Sequence, residues 1–196
     1  MKFRRTLLDP VPGALIWMYS EKNSLTEDLM KISENDDLIV EFIQGYPGYD
    51  KLREIVVKYQ PIGSILVMDD SLSYFTDEFA RIFFELSHHQ NCTPILLTQS
   101  LFHQTRSYRT LALNTHNLWL MRNLRDRSQI ISLSRQVSPY SPGWIISSYL
   151  QATNTPYSYL KFSFHQTTNP ITQVTARLLP FEPKPILCFV KNDSVP

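Results

Sequence analysis

Five short apolar runs, each five or six residues long and separated by stretches of helical periodicity, constrain this chain more than any other feature. They are Ala14–Tyr19, Leu38–Ile43, Ser64–Met68, Pro94–Thr98 and Asn117–Met121. Apolar runs of this length, interrupted by Glu41 in the second, are what strands buried on both faces require, and helical spacers between them make βαβ units and a parallel sheet. The spacers carry the expected marks. Leu52, Ile55, Val56 and Tyr59 recur at helical spacing, and Thr76 stands as a cap before Phe79, Ile82, Phe83 and Leu86. Asp126 with Gln129 reads as a capping box ahead of Ile130, Leu133 and Val137. After the proline-bearing break Ser138–Gly143 come a short helix over about Trp144–Gln151 and strand-like segments at Tyr157–Phe164, Ile171–Leu179 and Ile186–Val190. The expected organisation is an α/β core over 1–137 and a helix and β-rich extension of the same domain over 138–196.

Composition excludes several classes. With 196 residues, 43% hydrophobic and 19% charged, the chain can bury one sizeable core. A net charge of +1 gives no bulk attraction to nucleic acid, so any such contact needs a local patch. Cys92 and Cys188 are too few for a disulfide framework or thiolate zinc site. The segment Met1–Leu8 has no apolar run behind its charges, and no stretch reaches the roughly 18 apolar residues of a membrane span. A soluble, intracellular protein is expected, with no membrane partner.

The third run ends in two carboxylates, Asp69 and Asp70. At the carboxyl end of a buried parallel strand they emerge where open α/β sheets bind ligands. In nucleotide hydrolases the first such carboxylate holds Mg²⁺ and the next positions the attacking water. A strand end followed by a solvated turn or helix cap accounts for the hexapeptide equally well. The phosphate cradle that should accompany a magnesium carboxylate, G-x-x-x-x-G-K-[ST], is absent: none of the five glycines (13, 45, 48, 63 and 143) is followed by lysine.

The stretch Ser87–Gln136 then resembles a block of FtsK/HerA-type DNA-packaging ATPases, most closely those of Polinton (Maverick) elements and the adintovirus-like and poxvirus-like genomes. The matching elements are His88-His89, Thr98-Gln99, Leu101-Phe102-His103-Gln104, Arg109-Thr110-Leu111, Leu113-Asn114, His116 and Arg125–Ile130. Ile16-Trp17, Tyr19 and Glu21 upstream, and Ala152-Thr153, Pro156-Tyr157 and Tyr159-Leu160 downstream, extend the likeness over about Pro12–Val190. The resemblance implies a RecA-like P-loop core using ATP and Mg²⁺ to drive double-stranded DNA into a capsid, working as a homo-oligomeric ring in host nucleus, cytoplasm or virion. It further implies Asp69 as the magnesium-binding Walker B residue, Asp70 in place of a catalytic acid that is more often Glu, and Gln99 as the polar sensor beside it. Arg109, Arg125 and Arg127 are the candidates for an arginine finger, whose planar guanidinium suits phosphate charge. Met1–Arg5 falls about where the helix after the P-loop would be, so the expectation is an N-terminally truncated core lacking the P-loop strand, inactive alone. That sheet should show a gap or exposed edge at Ser64–Asp70. A non-catalytic remnant that keeps the fold is the alternative.

Other features read as structural. His88, His89 and His103 have no carboxylate or cysteine at ligand spacing. Trp17 and Trp119 read as core, the Tyr157–Phe164 alternation as sheet packing, and Arg122, Arg125 and Arg127 either as a solvated helix start or as a phosphate or DNA contact.

Overall fold

The computed structural model describes residues 8–33, 38–102, 105–182 and 185–191. Met1–Arg5, His103 and Gln104, singled out above, lie outside them. The chain divides into two compact units, Met1–Leu113 and Asn114–Pro196.

The first unit is α/β. Strand β1 (Ala14–Tyr19) leads through helix α1 (Ser24–Ser33) to β2 (Ile39–Gln44), and then through α2 (Tyr49–Lys58) to β3 (Ser64–Asp69). A helix over 77–89, α3, with one π-turn at Ile82–Leu86, precedes β4 (Cys92–Leu97) and α4 (Arg106–Asn114). The four strands are all parallel, in the order β2-β1-β3-β4. Every residue of β1 is buried, as its unbroken apolar run requires. Its two faces enter different cores. Ala14, Ile16 and Met18 join Leu66 and Met68 under α2, α3 and α4, through Leu52, Val56, Phe79, Ile82, Tyr108 and Leu111. Leu15, Trp17 and Tyr19 join Val67 and Leu38, with Leu29 of α1 packed against them.

Local signals account for the helices. Thr76 Oγ1 accepts the Phe79 N–H at 3.2 Å, the expected cap of α3, and Asn23 Oδ1 accepts the Thr26 N–H at 2.9 Å for α1. Gly13 sits where the chain passes Ile62. Its N–H donates to the Ile62 carbonyl at 2.9 Å, and a Cβ on it would fall 2.8 Å from Ile62 Cδ1.

The expected gap or exposed edge at Ser64–Asp70 is not found. Strand β3 pairs with β1 on one side and β4 on the other, over six residue pairs each. The run Ala14–Tyr19 fills the neighbouring place, so the sheet gives no argument for a strand missing beside β3. The absent glycine-lysine motif remains a fact of the sequence. Among the described residues the sheet's edge strands are β2 and β4. The Ser64 N–H donates to the Asn91 carbonyl at 3.0 Å, and along a parallel ladder alternate residues turn toward the partner, so Thr93, Ile95 and Leu97 face β3 while Pro94 faces out. A proline at an outward position forgoes no ladder bond and withholds a donor from any strand that would add there.

The second unit is a four-stranded antiparallel sheet, β5 (Asn117–Met121), β6 (Tyr159–Ser163), β7 (Val174–Ala176) and β8 (Leu187–Cys188), paired in chain order. Helices α5 (Ser128–Val137) and α6 (Pro142–Ala152) lie between β5 and β6 in sequence. The fifth apolar run is thus a strand, as expected, but it pairs antiparallel with β6 and not with the parallel sheet. Trp119 is a second correction. On the register Trp119↔Lys161↔Thr175 it belongs to the face opposite Leu118, Phe162 and Val174, and it is 39% exposed, not core. The segment Ile171–Leu179 is strand only at Val174–Ala176, because Pro170–Thr172 forms a 3₁₀ turn. No helix among the described residues is long and apolar enough to cross a membrane.

Candidate functional site at the carboxyl end of the parallel sheet

All four parallel strands end at one rim. The register aligns Tyr19 with Gln44 on one side and Asp69 on the other, and Asp69 in turn with Leu97. Asp69 therefore closes the central strand, and Thr98 and Gln99 follow directly from its neighbour. Adjacent strands are about 4.8 Å apart, so carboxylate and amide come from neighbouring positions of one rigid edge. Asp69 is half-buried and Asp70 exposed.

The chain turns sharply after the strand. Asp70 adopts φ 49°, a left-handed conformation that Asp tolerates better than most residues but that still costs about 1–2 kcal/mol. Such a conformation persists only where the surroundings enforce it. Here they include Ser71, fully buried, whose Oγ donates to the Asp69 carbonyl at 3.2 Å. Ser71 also accepts the Tyr74 N–H through its carbonyl at 3.1 Å, opening the short turn Leu72–Tyr74. The two carboxylates are thus held on a fixed bend, not on a solvated tail.

On the adjacent strand, Thr98 Oγ1 accepts the Ser100 N–H at 3.2 Å and donates to the Ser100 carbonyl at 3.0 Å. That local ring holds the turn that carries Gln99. The Tyr108 hydroxyl of α4 donates to the same Ser100 carbonyl at 2.7 Å, and burial pushes the Tyr108 phenol up from its usual range. Gln99 itself is exposed. Asp69, Asp70 and Gln99 were the residues expected at this rim; the bonds made by Ser71 and Tyr108 around them were not anticipated. A small hydroxyl directly after a strand-end Asp-Asp was the available signal for Ser71. For Tyr108 there was none, since an aromatic on a helix reads as core.

The arginine candidates are divided between the two units. Arg109 lies on α4, exposed, with no described side-chain bond to Asp69, Asp70 or Gln99. Arg125 and Arg127 belong to the second unit, in the loop between β5 and α5, both exposed. In that loop Asn123 Oδ1 accepts the N–H groups of Arg125 and Asp126 at 2.9 and 3.0 Å. The N-cap of α5 is Arg127, which makes no side-chain cap bond, and Asp126 just before it forms no reciprocal box. Its Oδ1 accepts the Ser128 N–H at 2.9 Å, and the Gln129 side chain donates to its other oxygen at 2.9 Å. The hydroxyl of Ser128 and these amide donors hold the Asp126 carboxyl below its usual range.

As a donor set, Asp69 and Asp70 supply two hard oxygens, and no group of three or more His, Cys, Asp or Glu side chains able to hold a metal occurs among the described residues. No family model, curated protein or solved structure matches the chain.

Proposed function

We propose that the first unit is the Walker B half of an ATP site in a RecA-like DNA-packaging motor, with Asp69 holding Mg²⁺, Asp70 positioning the attacking water and Gln99 reading the γ-phosphate. The observation that carries this reading is the shared rim: two carboxylates on the central strand and an amide two residues past the end of the next. The fixed bend at Asp70 and Ser71 supports it, since a carboxylate that must meet a metal gains from being held in place. Mg²⁺ would contribute charge neutralisation of the phosphates when bound. The chain's own residues would hold the ion and orient water and amide around it. The ring assembly, the DNA and the capsid belong to the same proposal, as consequences of the resemblance.

A specific observation favours a second reading. The chain carries no G-x-x-x-x-G-K-[ST], and phosphate affinity in such sites depends on those amides and that lysine. A non-catalytic remnant or interaction protein would keep the fold without the chemistry. The reading frame upstream of the Met1 codon separates the two. An in-frame phosphate-cradle motif there, with magnesium-dependent ATP turnover by the extended protein that Asp69→Asn abolishes, supports the motor. Stop codons, or turnover indifferent to Asp69→Asn, support the remnant. The 196-residue chain by itself is expected to give no appreciable turnover.

A further inference from the structure

The second unit contains a cavity of about 240 Å³ between the β5–α5 loop and the carboxyl end of α6. Arg122, Asn123 and Arg127 line it from the loop, and Thr153 and Asn154 from the end of the helix. Leu124 and Leu150, both well exposed, form its apolar wall. No acidic residue lines it.

The polar groups are sorted by what they have left to offer. Tyr149 is fully engaged: its hydroxyl donates to the Met121 carbonyl at 3.0 Å and accepts the Asn123 N–H at 2.9 Å. Thr153 Oγ1 donates to the Tyr149 carbonyl at 2.7 Å. The Asn123 carbonyl oxygen already takes two backbone N–H groups, so its remaining capacity is its NH₂, a donor. Arg122 and Arg127 are donors only, and neither has a carboxylate partner among the described residues. The nearest acid in sequence, Asp126, is turned onto Ser128 and Gln129, with the Ser128 hydroxyl at 2.6 Å. Arg122, Arg127 and Asn123 thus line one concave space, while the Asp126 carboxylate is bonded to Ser128 and Gln129.

We propose that this cavity is a phosphate-binding pocket that takes a doubly charged terminal phosphate, as borne by a nucleotide or another phosphate monoester. A terminal phosphate brings about two negative charges at neutral pH and three acceptor oxygens, which matches two guanidiniums without a carboxylate partner among the described residues and a spare amide donor. A duplex backbone presents singly charged phosphodiesters along a convex ridge, which suits an open basic surface better than a concave pocket. The inference uses the second unit alone and stands whatever Asp69 binds.

The test is a titration of the full chain with pyrophosphate and with inorganic phosphate, followed by backbone amide NMR. A short DNA duplex without terminal phosphates is titrated in parallel at the same salt. Saturable shifts are expected at Asn123, Arg127, Ser128 and Asn154, with pyrophosphate binding more tightly than the duplex. Arg122→Gln and Arg127→Gln should each weaken pyrophosphate binding about tenfold or more. Arg135→Gln, an exposed arginine of α5 outside the cavity, should change it less than twofold. Unchanged spectra away from the loop establish that each variant is folded. Equal weakening by Arg135→Gln, absence of saturable shifts around Asn123, or tighter binding of the duplex would overturn the proposal.

Discussion

The parallel sheet of the first unit and the antiparallel sheet of the second bury their strands in different ways, and the difference decides where each can carry polar chemistry. In the parallel sheet β1 is buried along its whole length and β3 nearly so, with cores on both faces. Polar side chains are therefore pushed to the strand ends, and Asp69, Asp70 and Gln99 collect at one rim. In the antiparallel sheet one face buries Leu160, Phe162 and Val174, while on the other Tyr159 and Thr175 are buried but Trp119 and Met121 reach solvent. Polar groups there gather in the loop that leaves β5, around Asn123 and Arg127.

The sharpest way to break this comparison is to empty a side chain from each sheet. Met18 is fully buried in β1, whereas Met121 is 59% exposed in β5. Met18→Ala should cost about 2–5 kcal/mol in urea unfolding, and Met121→Ala less than about 0.5 kcal/mol. Comparable losses would mean that the open face of β5 is covered in solution.

A smaller effect concerns how the two units start their helices. Thr76 and Asp126 each satisfy the first N–H groups of a helix with a side-chain oxygen. Thr76→Ala and Asp126→Ala should each cost about 1 kcal/mol. A much larger loss at Asp126 would show that its carboxylate also restrains the arginines beside it, against the account of the cavity given above.

The smallest effect is electrostatic. Glu85 on α3 takes two bonds from the Arg81 guanidinium, at 2.8 and 3.0 Å, and another from the Tyr49 hydroxyl. The Arg81 guanidinium above all, then the Tyr49 hydroxyl, holds the Glu85 carboxyl down to about 2 from an ordinary 4.5. Since folding favours the ionised form, its contribution is present above the unfolded value and fades as pH falls through the window from 4.5 toward 2. The pair is half-exposed, so the midpoint is a better readout than stability. In a carboxyl carbon NMR titration, Arg81→Gln should move the Glu85 midpoint back toward 4.5; an unmoved midpoint would leave the tyrosine as the cause.

What the sequence disclosed follows the same division. Buried parallel strands announce themselves as unbroken runs, so Ala14–Tyr19 and Ser64–Met68 were legible, and the face Leu52, Val56 and Tyr59 identified α2. Pairing was not. Nothing in Asn117–Met121 distinguishes a fifth parallel strand from the first strand of an antiparallel sheet, because Leu118 and Leu120 alternate with a tryptophan and a methionine that read as equally apolar. The edge position of β4 was not legible, because the apolar run starts at Pro94, where a proline also suits the first residue of an inner strand, whereas the strand itself starts at Cys92. The place of Asp69, Asp70 and Gln99 at the strand ends was legible because they follow apolar runs. The hydroxyls that hold them, Ser71 and Tyr108, act through contacts that no local pattern encodes.

The central claim, that Asp69 and its neighbours form the magnesium-holding half of an ATP site, is tested most directly with Mn²⁺ as a paramagnetic stand-in for Mg²⁺. Amide NMR of the full chain should show weak, saturable broadening centred on Asp69, Asp70 and Gln99, lost in Asp69→Asn and absent around Asp126. Broadening that follows exposed carboxylates throughout the chain, or that persists unchanged in Asp69→Asn, would contradict it.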